Sequence, residues 1–311
     1  MNGMSTSAFP TSSFVSGSKR LLIGGEWVQA KSGKAFDTVN PATGEVIARL
    51  AQGDKADVHE AVVAARKAFE GEWSKWTPYD RQRLLIRIHD LVEKHFNELA
   101  LIETLDMGAP LVRTRGYKSF VSQLILFYAS QTAAGGVQTL QNSLPGRFRT
   151  FKIKAPVGVV GGIIPWNGPL ISQWWILGPT LATGCTAVLK PAEDASLTAL
   201  RVAELLIEAG MPPGWSMWLQ ATELRPAVRC RSILTSTVLP LRARRRPGAK
   251  LPTPRPPTSS ASLELGGKSP DIVFADADLD KAVPGVAHGR LLQHRPDLRS
   301  RYAGAGATEN P

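Results

Sequence analysis

The chain has 311 residues, of which 43% are hydrophobic and 20% charged, as is typical of a globular protein with a large core. Its net charge of +11 is concentrated in residues 215–260, with nine Lys or Arg and one acid, and in residues 290–311, with four Arg and two acids. The basic residues therefore do not indicate a nucleic-acid-binding face, and no apolar run of about 18 residues predicts a membrane span.

The first half of the chain predicts short strands and then helices. After a Ser/Thr/Gly-rich segment at residues 1–18, expected to be a disordered tail, "LLIGGEWV" and "GEVIARL" predict strands around the turn-forming "NPATG". Asp54 is a suitable N-cap for a first helix, and Pro78 is expected to begin a second one. Helical spacing of apolar residues continues through residues 99–132.

A parallel α/β sheet is predicted from the middle of the chain. "VGVVGGII" and "CTAVLK" predict buried strands, and "ISQWWILGPTLATG" predicts the apolar helix between them. "SLTALRVAELLIEAG" predicts a further helix that ends at Gly210. Strand and helix alternate in the order that gives parallel strands with right-handed crossovers.

The two cysteines, Cys185 and Cys230, have no spacing typical of a disulfide framework or a metal site. This composition is typical of a protein of the reducing cytoplasm, where we expect the chain to reside. Cys185 is expected to be a small core residue at the start of a strand, and the five histidines are scattered. No metal site is expected.

Five motifs occur in one order along the chain: "NPATGEVIA", "PVGVVGGIIPWNGPL", "VLKPAE", "GMPPG" and "LELGGKSPDIVFADADLD". Together they resemble the NAD(P)-dependent aldehyde dehydrogenase family. The resemblance implies a Rossmann-like cofactor-binding domain at residues 19–214 and the start of a second α/β catalytic domain at residues 261–289. It also implies a bridging hairpin, used in homo-oligomers of the family, at about residues 140–154.

The resemblance implies two catalytic residues. Asn167 of "PWNGP" matches the amide that donates a hydrogen bond to the tetrahedral oxyanion, and Glu264 of "LELGG" matches the general base that activates water. By themselves, the residues also fit an Asn-Gly turn between strand and helix, and a solvated carboxylate at a strand end.

The resemblance also implies cofactor-binding residues. Lys190 and Glu193 of "VLKPAE" would hold the adenosine ribose, and a carboxylate there favours NAD over NADP. Pro165, Trp166 and Leu265 would line the same site. Without the resemblance, Lys190 and Glu193 would be exposed loop charges, and Pro165 and Trp166 a rigid packed corner.

Residues 215–260 depart from the family pattern and are expected to be irregular, because they are rich in Arg and Pro. Codons permitted for residues 215–220, when read one nucleotide earlier, spell Val-Val-Asn-Val-Val-Thr, as the family has here. Codons permitted within residues 238–245 similarly spell Ala-Phe-Thr-Gly-Ser-Thr. A shifted reading frame is therefore the favoured explanation, and a genuine basic, Pro-rich linker for nucleic acid or an SH3-like partner is the other.

Residues 290–311 are expected to be a second out-of-frame segment. Codons permitted for residues 291–299 can spell Tyr-Ser-Asn-Thr-Gly-Gln-Ile-Cys, the family loop that carries the nucleophilic cysteine. The translated chain would then be a truncated family member without the nucleophile.

Two functions follow from these patterns. The first is NAD-dependent oxidation of an aldehyde to a carboxylic acid, with a small-molecule substrate and with neither nucleic acid nor membrane as a partner. The second is a non-catalytic nucleotide-binding or interaction remnant of the same family.

Overall fold

The computed structural model describes residues 13–218, 237–241, 259–263 and 272–291. Its strands are β1 (Ser18–Lys19), β2 (Leu21–Ile23), β3 (Glu26–Val28), β4 (Ala35–Val39), β5 (Val46–Ala51), β6 (Gln138–Leu140), β7 (Thr150–Lys152), β8 (Val159–Ile163), β9 (Thr186–Lys190), β10 (Ser216–Trp218), β11 (Thr237–Leu241) and β12 (Ser259–Leu263). Its α-helices are α1 (Lys55–Glu70), α2 (Pro78–Lys94), α3 (Phe96–Met107), α4 (Leu111–Gly116), α5 (Lys118–Gln131), α6 (Pro169–Ser172), α7 (Trp174–Thr183), α8 (Leu197–Glu208) and α9 (Leu279–Leu291).

A seven-stranded sheet organises the fold, with the strand order β12-β11-β8-β9-β10-β2-β3. The five strands from β12 to β10 are parallel, and the β2–β3 hairpin adds two antiparallel strands at one edge. All five residues of β8 and all five of β9 are buried, as expected of central parallel strands. This arrangement confirms the predicted parallel α/β fold.

Two helix starts lie where their sequences predict them. Asp54 caps α1, and the reciprocal bond from its backbone amide to Asp57 completes a capping box. Thr77 and Asp80 form the same box before α2, whose first residue is Pro78. Proline suits that position because the first helical amide has no partner within the helix.

Buried tryptophans hold the start of β9. The indole of Trp73 donates to the carbonyl of Gly184 at 2.8 Å, and the indole of Trp215 donates to the carbonyl of Cys185 at 2.8 Å. The two rings are in edge contact, with centroids 5.6 Å apart. Edge-to-face packing and satisfied indole N–H groups make this corner a well-ordered part of the core.

An exposed antiparallel hairpin leaves the body of the fold. β6 pairs with β7, so that Leu140 lies opposite Thr150. The hairpin and its flanks expose large apolar side chains, including Leu144, Phe148 and Ile153. This antiparallel pair overlaps the bridging hairpin expected at about residues 140–154, and its use in oligomers stays a prediction.

Three expected boundaries differ from the described elements. The segment 1–18 was expected to be a disordered tail, but within its described residues Val15 is a buried core residue at the end of a short 3-10 helix, Ser13–Val15, and β1 begins at Ser18. The segment 215–260 was expected to be irregular, but its described residues form β10, β11 and the start of β12. β12 crosses residue 261, where a second domain was expected to begin, as a strand of the seven-stranded sheet, and the division into domains stays a prediction. The last two differences arise because a segment becomes a strand by pairing with its neighbours in the sheet, and the composition of the segment does not reveal those neighbours.

The packing of α7 against α5 gives a test of the core. A Cβ atom on Gly178 would overlap the ring of Tyr128, whereas a Cβ on Gly116 of α4 would meet nothing within 4 Å. We expect Gly178→Ala to lower the free energy of unfolding by about 1–3 kcal/mol, since the overlap forces neighbours to shift. Gly116→Ala should leave it unchanged or raise it by up to about 1 kcal/mol.

Urea unfolding of both variants measures the difference. Equal stability of Gly178→Ala and the unmodified chain would contradict the packing of α5 on α7.

Candidate functional site

The candidate site lies at the carboxyl ends of two neighbouring parallel strands. β8 ends at Ile163 and β9 at Lys190, and the amide of Ile164 donates to the carbonyl of Lys190 at 2.9 Å. The turn that carries Asn167 and the loop that carries Glu193 therefore leave the sheet at the same edge. In open α/β sheets, ligands bind at this edge.

The turn from Pro165 to Asn167 is half-buried and leads directly into α6. Trp166 packs against a small apolar cluster of Met107, Ala109 and Ala195. The carbonyl of Asn167 accepts a hydrogen bond from Nη2 of Arg113 at 3.3 Å. Asn167 therefore does form a turn between strand and helix, and its backbone is held by a side chain from α4.

Lys190 and Glu193 form an ion pair at the end of β9. The Lys190 Nζ lies 3.2 Å from Glu193 Oε2 and donates to the carbonyl of Pro191 at 3.2 Å. The Lys190 side chain is only 9% exposed, whereas that of Glu193 is 44% exposed. The interpretation of both residues as exposed loop charges is thus wrong for Lys190, and the carboxylate at the rim remains accessible to a ligand.

Two buried carboxylates of α3 support these loops, and the sequence analysis missed both. Glu103 Oε2 accepts from the amide of Leu170 at the start of α6, at 2.7 Å. Asp106 Oδ2 accepts from the amide of Leu197 at the start of α8, at 2.8 Å, and Oδ1 accepts from the Thr38 hydroxyl, at 2.8 Å. The one signal in the sequence was the pair of acids three residues apart in "IETLDM", an otherwise apolar helix.

Burial raises the pKa of Glu103 to about 8, because the ionised carboxylate would lose its hydration. The amide of Leu170 and the charge of Arg113 lower this pKa, while the charge of Asp106 raises it further. Glu103 Oε1 has no hydrogen-bond partner among the described residues. The side chain is therefore mostly a neutral acid at pH 7.

Of the remaining residues that the sequence singled out, the structure describes Cys185. Glu264, Leu265 and Cys230 lie outside the described residues. Cys185 is buried and precedes β9, so the five residues of that strand place it about 16 Å from the edge that carries Asn167. Its predicted place in the core is confirmed. The described ranges contain no group of three His, Cys, Asp or Glu suited to a metal ion, and none of their helices is long and apolar enough to cross a membrane.

Comparisons with known proteins agree with this geometry. The family model described as "Aldehyde dehydrogenase family" matches residues 27–294. The chain is 41% identical to aldehyde dehydrogenase family 2 member B4, mitochondrial, of Arabidopsis thaliana, over 88% of the chain and 51% of that protein. It is 41% identical to the mitochondrial benzaldehyde dehydrogenase of Antirrhinum majus, again over 88% of the chain and 51% of that protein. The chain spans about half the length of these curated relatives.

Solved structures show the same likeness. The NAD+ complex of an aldehyde dehydrogenase from Bacillus cereus superposes with a TM-score of 0.77 at 34% identity, over 90% of this chain and 57% of that one. An NAD-dependent aldehyde dehydrogenase from Sinorhizobium meliloti superposes with a TM-score of 0.75 at 35% identity, over 89% of this chain and 55% of that one.

The buried acid makes stability depend on pH. Folding raises the pKa of Glu103 from an ordinary 4.5 to about 8, so the folded chain holds this proton more tightly than the unfolded chain. The stabilisation that this bound proton gives the folded state is present in full below pH 4.5 and is lost as pH rises toward 8. As pH rises across that window, we expect the free energy of unfolding to fall by up to about 1.4 kcal/mol per pH unit because of Glu103.

Glu103→Gln should remove this slope, because an amide does not titrate, and urea unfolding between pH 5 and pH 8 measures it. Glu98→Gln, which changes a partly exposed acid of the same helix, should retain it. The same pH dependence in Glu103→Gln and the unmodified chain would contradict the assignment.

Proposed function

The chain belongs to the aldehyde dehydrogenase family, and on that premise we propose that it binds NAD+ at the carboxyl edge of its sheet, in a fold built for oxidation of an aldehyde to a carboxylic acid. The observation that carries this proposal is the buried Lys190 paired with the half-exposed Glu193, beside the turn of Asn167. A held carboxylate at this edge suits the hydroxyls of a ribose.

Glu193 also supports a preference for NAD over NADP. A carboxylate accepts hydrogen bonds from the 2′- and 3′-hydroxyls of a ribose, but it repels a 2′-phosphate. The bond from Lys190 engages Oε2 of this carboxylate, whose side chain is nevertheless partly exposed. Trp166 and Pro165, half-buried in the neighbouring turn, would line the same cleft.

The chemistry of the family assigns the remaining roles. A thiolate attacks the aldehyde carbon, which turns the carbonyl oxygen into an oxyanion. The amide of Asn167 would donate to that oxyanion, and one such donor contributes about 3 kcal/mol in the transition state. Bound NAD+ would supply the acceptor for the hydride that leaves the adduct, which becomes a thioester. Glu264 would remove a proton from the water that releases the acid from the thioester.

We propose that this chain lacks the thiol for the first step. Cys185 is buried just before the start of β9, whereas the turn of Asn167 lies at the carboxyl edge of the sheet, and this separation argues against Cys185 as the nucleophile. The family's cysteine loop emerges from codons permitted for residues 291–299 only in a shifted frame. A frameshift after Gly214 and a second one after Gly289 explain both the absent loop and the Arg- and Pro-rich segment.

A nucleotide-binding remnant without catalysis is the second candidate function. The position of Cys185 favours it, because Lys190 and Glu193 are paired at the proposed cofactor site while the described residues offer no thiol near them. Binding of NAD+ without oxidation of an aldehyde distinguishes this candidate from the enzyme.

Assembly and location complete the proposal. The exposed apolar side chains of the β6–β7 hairpin support its use in a homo-oligomer, as the family resemblance implies. The small number of cysteines supports a reducing compartment, the cytoplasm.

Cofactor binding tests the proposal directly. We expect isothermal titration of the full chain to detect NAD+ binding, with weaker binding of NADP+. Lys190→Met should weaken NAD+ binding by about 10-fold or more, because it removes a charged hydrogen bond from the carboxylate that meets the ribose.

Lys75→Met is the matched control, since Lys75 forms an exposed i,i+3 pair with Glu72 away from this edge. It should leave the affinity unchanged. No detectable NAD+ binding by the folded chain would refute the proposal.

The missing thiol predicts the kinetics. Rapid mixing of the chain with NAD+ and an aldehyde should give no burst of NADH, since hydride transfer requires the covalent adduct. A burst that disappears in Cys185→Ala or Cys230→Ala would place the nucleophile at that residue, and the frameshift proposal would have to be dropped.

A further inference from the structure

We propose that Glu103 and Arg113 are positioning residues, which hold the Asn167 turn from its two sides and give it one orientation. The role of Asn167 as oxyanion donor rests on the proposed function, whereas the two anchors rest on contacts within the chain. One anchor binds the amide of Leu170, after Asn167, and the other binds the carbonyl of Asn167 itself.

The Glu103 anchor takes the place of the N-cap side chain that α6 lacks. α6 has only four residues, and its N-cap is Gly168, which has no side chain to accept from the first amides of the helix. The Glu103 carboxyl, 67 residues earlier in the chain, accepts from Leu170 at 2.7 Å. Because both groups are buried, water does not compete for this bond.

The Arg113 anchor is oriented by its neighbour on the next turn. Arg113 Nε donates to the hydroxyl of Tyr117, and Nη2 donates to the carbonyl of Asn167 at 3.3 Å. The guanidinium also lies over the Tyr117 ring, 5.6 Å from its centroid. A planar group held at two points directs its remaining donors more narrowly than a flexible ammonium does.

The two anchors interact electrostatically. Arg113 is the cation that acts on Glu103, and Asp106 and Tyr117 are the other titratable groups near it. The sequence of α6 contains no titratable side chain, and on the facing helix α8 Arg201 is engaged by Glu98 and Glu204.

The protonation state of Glu103 should therefore affect the orientation of the Asn167 turn. While Glu103 is neutral, the guanidinium of Arg113 remains on the carbonyl of Asn167. An ionised Glu103 competes for that guanidinium, because a carboxylate is a stronger acceptor than a carbonyl. The orientation of the turn should change as Glu103 loses its proton, with a midpoint near its pKa of about 8.

Trp166 reports on the turn without any need for catalysis or cofactor. We would label the full chain with 5-fluorotryptophan, record its 19F NMR spectrum from pH 6 to pH 9.5, and assign the Trp166 resonance with Trp166→Phe. In the unmodified chain we expect this resonance to titrate near pH 8. In Glu103→Gln it should stay at one position at every pH. In Arg113→Met it should be shifted and should no longer respond to pH.

Glu98→Gln is the matched control, because it alters an acid on the same helix that pairs with Arg201 and His95. It should leave the titration of Trp166 intact. The Trp73 resonance, from the core, shows whether each variant is folded. If Glu103→Gln does not fold, Arg113→Lys and Tyr117→Phe test the proposal in its place. The proposal then requires that each of these two variants shifts the Trp166 resonance.

A Trp166 resonance that titrates in Glu103→Gln as in the unmodified chain, or that stays in place in Arg113→Met, overturns the proposal. Because no ligand is added, this result is independent of the proposed function. Failure to bind NAD+ would refute cofactor binding and leave the anchors in place.

Discussion

Two buried carboxylates of one helix hold the edge of the sheet on which this protein's candidate site is built. The first amides of a helix have no partner within it, and neither Gly168 before α6 nor Ser196 before α8 caps its helix with a side chain. Glu103 and Asp106 of α3 accept from these amides instead. The turn of Asn167 and the loop after Lys190 each end at one of these helices, so both depend on α3 for their geometry.

The opposite edge of the sheet has a different character. There, Trp73 and Trp215 bind the backbone at the start of β9 and pack against each other. The thiol of Cys185 is buried in this corner. The polar groups of the candidate site lie instead at the carboxyl ends of β8 and β9, where α/β folds bind their ligands.

The candidate site combines residues that had a recognisable motif with residues that had none. Asn167, Lys190 and Glu193 were predicted from their motifs, and the structure brings their loops to one edge. Glu103 and Arg113 were not predicted, because an acid and an arginine on helices are usually solvated. Their contacts join residues 67 and 54 positions apart, and no local pattern reports such a distance.

The sequence by itself determined the alternation of β8, α7, β9 and α8, the helix starts at Asp54 and Pro78, and the family to which the motifs belong. These features depend on neighbours within a few residues, where periodicity and side-chain chemistry act directly. Only the tertiary structure decided that Glu103 is a buried neutral acid and that residues 216–218 and 237–241 are strands. Burial and strand pairing are set by distant parts of the chain, since a short strand is stabilised mainly by the neighbours it pairs with.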